Sequence, residues 1–135
     1  MDGGGSTNQE TKADISLRED NNMGAHDCTV LKIGRYRDAN EAYAEAVVEA
    51  ENQYGWDGYN GTISTSEGFK IIKKHPRYGT KAWEKFADKT IEGTKWKAWN
   101  CIEIKGATAK RWKEQEGFKG RRGIKVFYFW GLAAS

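Results

Sequence analysis

With 135 residues, 38% of them hydrophobic and 30% charged, the chain has the length and composition of one folded domain that can bury a core without disulfide or metal support. No stretch approaches the ~18 consecutive apolar residues of a membrane helix. The amino terminus MDGGGSTNQETKADISLRED has no apolar run of the secretory kind, so a cytoplasmic protein with no membrane partner is expected.

The net charge of +3 is unevenly spread. Residues 1–27 hold two basic and six acidic side chains, residues 28–61 three and six, and residues 62–135 seventeen and seven. A basic carboxy-terminal half beside an acidic amino-terminal half marks either an anion-binding face or neutralisation between the halves. Cys28 and Cys101 lie in apolar runs with no second Cys or His at ligand spacing, which reads as buried thiols rather than a metal site or redox pair. His26 and His75 are single histidines in polar surroundings and read as solvated.

Residues 1–25 offer no apolar period and read as a disordered, acidic tail, leaving 26–135 as a single domain. Order begins at CTVLKIGRY, a strand with Thr29, Leu31 and Ile33 on one side and Cys28, Val30 and Lys32 on the other. Asp38 and Glu41 have capping-box spacing, and Ala39, Tyr43, Ala46, Val47, Ala50 and Tyr54 then repeat at helical period. Glu41, Glu45 and Glu49 line the opposite face of that helix, toward water or a basic partner.

The loop YGWDGYNG follows, with Gly55, Gly58 and Gly61 free to take positive φ and Asp57 and Asn60 able to bond their own backbone. Its aromatics Trp56 and Tyr59 are either a lid on the core or, with Asp57 and Asn60, a ligand-binding surface. Next come a strand at Thr62–Thr65, a turn at Ser66–Gly68 and a second strand piece at Phe69–Ile72, which the lone Pro76 closes. Thr80 caps a second helix whose inner residues are Ala82, Trp83, Phe86, Ala87 and either Thr90 or Ile91.

After Gly93, KWKAWNCIEIKG alternates, with Trp96, Ala98, Asn100, Ile102 and Ile104 toward the core and Lys97, Trp99, Cys101, Glu103 and Lys105 toward solvent or a partner. A short basic helix at Thr108–Glu116 and the turn FKGRRG lead to GIKVFYFWGLAA, a strand apolar on both faces and therefore interior to the sheet or covered by a second subunit. The expected fold is α+β: a single domain with a four- or five-stranded mixed or mainly antiparallel sheet and two or three helices packed on one face.

Catalytic signatures are missing: there is no G-x-S-x-G, H-E-x-x-H, phosphate loop or G-x-G-x-x-G. No catalytic residue, cofactor or metal is therefore assigned. The remaining signal is a basic half interleaved with rings, a combination that grips phosphates by charge and bases by stacking. It points to a non-enzymatic binding protein for nucleic acid or a nucleotide. The residues carrying it beyond the loop are Arg77, Lys97, Trp99 and Lys105, followed by Arg111, Arg121 and Arg122. The alternative is a structural or assembly protein that forms a homo-oligomer through the apolar final strand. A small hydrolase or transferase built on the glycine loop is the third reading.

Overall fold

The computed structural model describes residues 25–56 and 60–134. The expected tail lies outside these residues except for Ala25, which opens the first strand. The elements in chain order are β1 (Ala25–Arg35), α1 (Ala39–Tyr54), a 3₁₀ turn (Ile63–Thr65), β2 (Phe69–Ile71), α2 (Lys81–Ile91), β3 (Trp99–Ile104), α3 (Gly106–Gln115) and β4 (Ile124–Ala134).

Local chemistry sets the helix starts. The Asp38 carboxylate accepts the Glu41 N–H at 3.3 Å, and the Glu41 carboxylate reaches one residue further back than a capping box requires, accepting the Arg37 N–H at 2.6 Å. Thr80 Oγ1 accepts the Trp83 N–H at 3.2 Å to start α2. The buried stripe of α1 is Ala39, Ala42, Ala46 and Ala50, small residues that let the helix axis lie close to the sheet. Tyr54, expected on that stripe, is exposed at the last turn. The acidic row of α1 is met from within the chain: Lys32 Nζ lies 2.6 Å from Glu49 and 3.5 Å from Glu45, and the Tyr36 hydroxyl donates to Glu45.

Thr62–Thr65 is a turn rather than the expected strand. Its threonine and serine residues, favourable for strands by shape, bond locally instead: Thr62 Oγ1 accepts the Ser64 N–H at 3.2 Å, and Thr65 Oγ1 donates to the Thr62 carbonyl at 2.8 Å. Gly61 turns the chain into this segment at φ 75°, and its N–H donates to the Ala134 carbonyl at 2.7 Å.

The sheet is four-stranded and mixed, in the order β1-β4-β3-β2. β4 runs antiparallel to both β1 and β3, while β2 is parallel to β3. Three strands therefore point one way, and the central β4 points the other. As its sequence requires, β4 is covered on both faces. Phe127, Phe129 and Ala133 pack with Trp99 and Cys101 under α1, and Val126 and Trp130 pack with Ile102, Ile104, Trp83 and Ala109 under α2 and α3.

The helices thus flank both faces of the sheet, not one. The reason is topological: β1 and β2 are the two edges, so the link carrying α1 crosses one face, and α2 and α3 are left to cover the other. The alternation expected in β3 holds, but its second side is closed by α1, and Trp99 and Cys101 have no accessible surface. The Trp99 ring lies against Gly131 on the neighbouring strand, where an added Cβ would come within 2.4 Å of it. Burial pushes the Cys101 thiol up to about 12, in keeping with a core role.

Because β4 supplies both cores, a chain ending at Arg122 should show no cooperative unfolding by circular dichroism. Phe129→Asp, at a position with no exposure, should likewise fail to fold. A cooperative melt from either variant would contradict the central placement of β4.

Candidate anion-binding cleft

The strand directions fix where side chains can gather. β1, β2 and β3 all end, and β4 begins, at one end of the sheet, since Arg35 pairs with Ile124 and Ile104 with Val126. In open sheets containing parallel strands, the crevice outside their carboxyl ends is the usual ligand site. Here that crevice is a cleft of about 340 Å³ between the segment leaving β2 (His75, Arg77, Tyr78), the end of β3 (Ile102–Ile104) and Lys105–Thr108 at the start of α3.

Each wall has a local cause. Thr80 pins the turn after Pro76, its Oγ1 donating to the Arg77 carbonyl at 2.7 Å. Tyr78 is held by rings on three sides, with centroids 5.4 Å from Trp83, 5.6 Å from Trp112 and 5.2 Å from Tyr128. Burial raises the Tyr78 phenol above its ordinary value, and like any tyrosine it is protonated at neutral pH and can donate a hydrogen bond. His75 Nδ1 lies 2.8 Å from the Pro76 carbonyl, and its ring stands edge-on to Trp83.

On the other wall Gly106 turns strand into helix at φ 82°, a conformation that favours glycine. No side chain caps α3, and its first-turn residues Gly106, Ala107 and Thr108 line the cleft, which places the positive end of the helix at this wall. Glu103 is the opposing group in the lining, its carboxylate 4.0 Å from Lys105 Nζ.

The expected site residues separate into four groups. Arg77 and Lys105 meet in the cleft. Arg121 and Arg122 are exposed on the turn into β4, at the same end of the sheet, and Arg111 is on the exposed side of α3. Trp56, Asn60 and Lys97 belong to the opposite end, near the start of β3 and the end of α1. Asp57 and Tyr59 lie outside the described residues.

Two of these assignments are corrected. Trp99 is sealed beneath α1 and cannot stack on a ligand. The Asn60 amide is committed to its own loop: Nδ2 donates to the Gly55 carbonyl at 2.9 Å and to Ser64 Oγ at 2.6 Å, and Oδ1 accepts from Thr62 N–H at 3.0 Å and Thr62 Oγ1 at 2.7 Å. Tyr78 and Gly106 are cleft residues that sequence reasoning passed over, and His75, expected to be solvated, is half-buried in the lining with its ring edge-on to Trp83. Their signal was position, immediately after β2 and β3.

Comparison of the chain with protein-family models, with curated proteins and with solved structures yields no match. Fold and cleft together define a small α+β domain with a basic crevice at the carboxyl edge of its parallel strands. Among the described residues no helix is long and apolar enough to cross a membrane.

If Asn60 is a loop staple, Asn60→Ala should cost about 1–3 kcal/mol in chemical denaturation, because several polar groups lose their partner together. Anion binding at the far end of the sheet should be unchanged in that variant. Unaltered stability with weakened binding would return Asn60 to a ligand role.

Proposed function

We propose that the chain is a small non-enzymatic binding protein for a phosphate-bearing ligand, with a nucleotide favoured over an extended nucleic-acid strand. The observation that carries this reading is the convergence of Arg77, Lys105 and the uncapped first turn of α3 on one cleft. Helix N–H groups and two cations supply the combination that binds phosphate oxygens.

Size favours the nucleotide. A cleft of about 340 Å³ stands near the lower end of the range for small-molecule sites, enough for a compact ligand. Ring chemistry points the same way: Trp83, Trp99 and Trp130 are buried, and among the described residues of the basic half Trp96 is the one large exposed ring, away from the cleft at the start of β3, which is not the succession of aromatics that tracks single-stranded bases. Arg121 and Arg122, exposed at the same end of the sheet, add positive potential that draws anions toward the cleft. The feature behind the assembly reading, an apolar strand on two faces, is satisfied by helices of the same chain.

The test is calorimetric titration of a nucleoside triphosphate and of pyrophosphate at about 50 mM salt, where screening still permits charge-driven binding. Binding should fall steeply with added salt, and Arg77→Ala with Lys105→Ala should weaken it by at least roughly tenfold at an unchanged melting temperature. No binding of either ligand, or equal binding by the double variant, would reject the proposal.

A further inference from the structure

The two sheet edges differ in a way that the cleft does not explain. β2 is three residues long and is followed by Lys73 and Lys74, a short, charged edge of the kind that resists pairing with other chains. β1 is eleven residues long, pairs with β4 in unbroken register from Ala25 to Arg35, and contains neither proline nor bulge.

The register shows which backbone groups β1 turns outward. Trp99 N–H donates to Gly68, and the Cys101 carbonyl accepts from Ile72, so odd-numbered residues of β3 face β2 and even-numbered ones face β4. Pairing then directs the even-numbered residues of β4 to β3 and its odd-numbered residues to β1. It follows that the even-numbered residues of β1 bond to β4, leaving the N–H and C=O groups of Asp27, Thr29, Leu31 and Ile33 pointing away from the sheet. No backbone hydrogen bond among the described residues reaches them.

We infer that β1 is a self-pairing edge: two copies of the chain join their β1 strands antiparallel about a two-fold axis at Leu31, forming a continuous eight-stranded sheet. The side-chain row selects this occupant and this register. Centring on Leu31 sets Leu31, 42% exposed, against the partner's Leu31 and Thr29 against the partner's Ile33. The same centring brings the exposed Asp27 opposite the partner's Arg35 on both sides of the axis. Moving the axis by one residue, to Val30, would place Asp27 against the partner's Ile33 and forfeit both ion pairs. On the other face Val30 meets the partner's Lys32, whose ammonium is already held by its own Glu45 and Glu49 at 3.5 and 2.6 Å, so no bare charge is brought to the seam. A single strand edge buries less than the ~1,200 Å² of a standard stable interface, so association falls in the micromolar range rather than tighter.

The test is sedimentation of the full chain over a concentration series spanning roughly micromolar to several hundred micromolar. A reversible monomer–dimer equilibrium is expected. Asp27→Arg, which sets like charges opposite each other at both ends of the seam, should weaken it by roughly tenfold or more, and Asp27→Arg with Arg35→Asp should restore it. Both positions are exposed, and an unchanged melting temperature confirms that each variant is folded. Three results would overturn the inference: a parent that stays monomeric throughout, a dimer indifferent to Asp27→Arg, or a double exchange that fails to restore association.

Discussion

The close approach of the Trp99 ring to Gly131 is the contact on which the rest of the arrangement depends. β3 and β4 are neighbours, and their side chains on the α1 face include a tryptophan with no exposed surface. That ring can lie flat on the sheet only because the residue beside it on β4 has no side chain, and an alanine Cβ there would intrude to 2.4 Å. With the ring flattened, the alanine stripe of α1 can settle over both strands, and in the same core Tyr43, Phe69 and Phe129 pack against one another with centroids 5.1 to 6.0 Å apart. On the other face the end of α2 is tied down by hydroxyls: Thr90 Oγ1 accepts from Trp130 Nε1 at 3.1 Å, and Thr94 Oγ1 accepts the Leu132 N–H at 2.7 Å. β4 is therefore fixed from above and below, as a strand apolar on both sides must be.

Much of this was legible in the chain itself. Asp38 and Thr80 announce their helices through spacing that any reader of caps can follow, and GIKVFYFWGLAA, apolar on both faces, had to be covered on both sides, although the sequence alone left open whether by its own helices or by a second subunit. What failed had physical causes. Thr62–Thr65 has the composition of a strand, yet hydroxyls three residues apart can close a turn, and local composition does not say which prevails. The alternation in β3 was correct, but the polar residues that made one side look open, Lys97 and Lys105, stand outside the strand, and Glu103 lies near its end, while α1 covers the middle. Trp96 is not on the strand at all; it turns at φ 63°. Helix placement on both faces required the strand order, which no local pattern contains.

The interleaving of rings and basic residues in the carboxy-terminal half dissolves in three dimensions. Tyr78, Trp83, Trp112, Tyr128 and Trp130 form one aromatic cluster beneath α2 and α3, whereas most of the lysines and arginines between them in sequence are exposed. Charge is left as the recognisable surface feature, and strand direction decides where it concentrates. Arg77 and Lys105 are 28 positions apart in the sequence and reach one cleft because β2 and β3 are parallel and both run toward this end of the sheet. A binding site of this kind is readable only after the topology is known.

The most direct test of this account is a double-mutant cycle between Trp99 and Gly131, read as unfolding free energy in denaturant. Gly131→Ala should cost about 1–3 kcal/mol in the parent by overpacking, and far less in a Trp99→Leu background where the ring that it strikes is gone. Equal costs in the two backgrounds would show that the ring does not rest on Gly131, and the packing of α1 on the sheet would have to be redrawn.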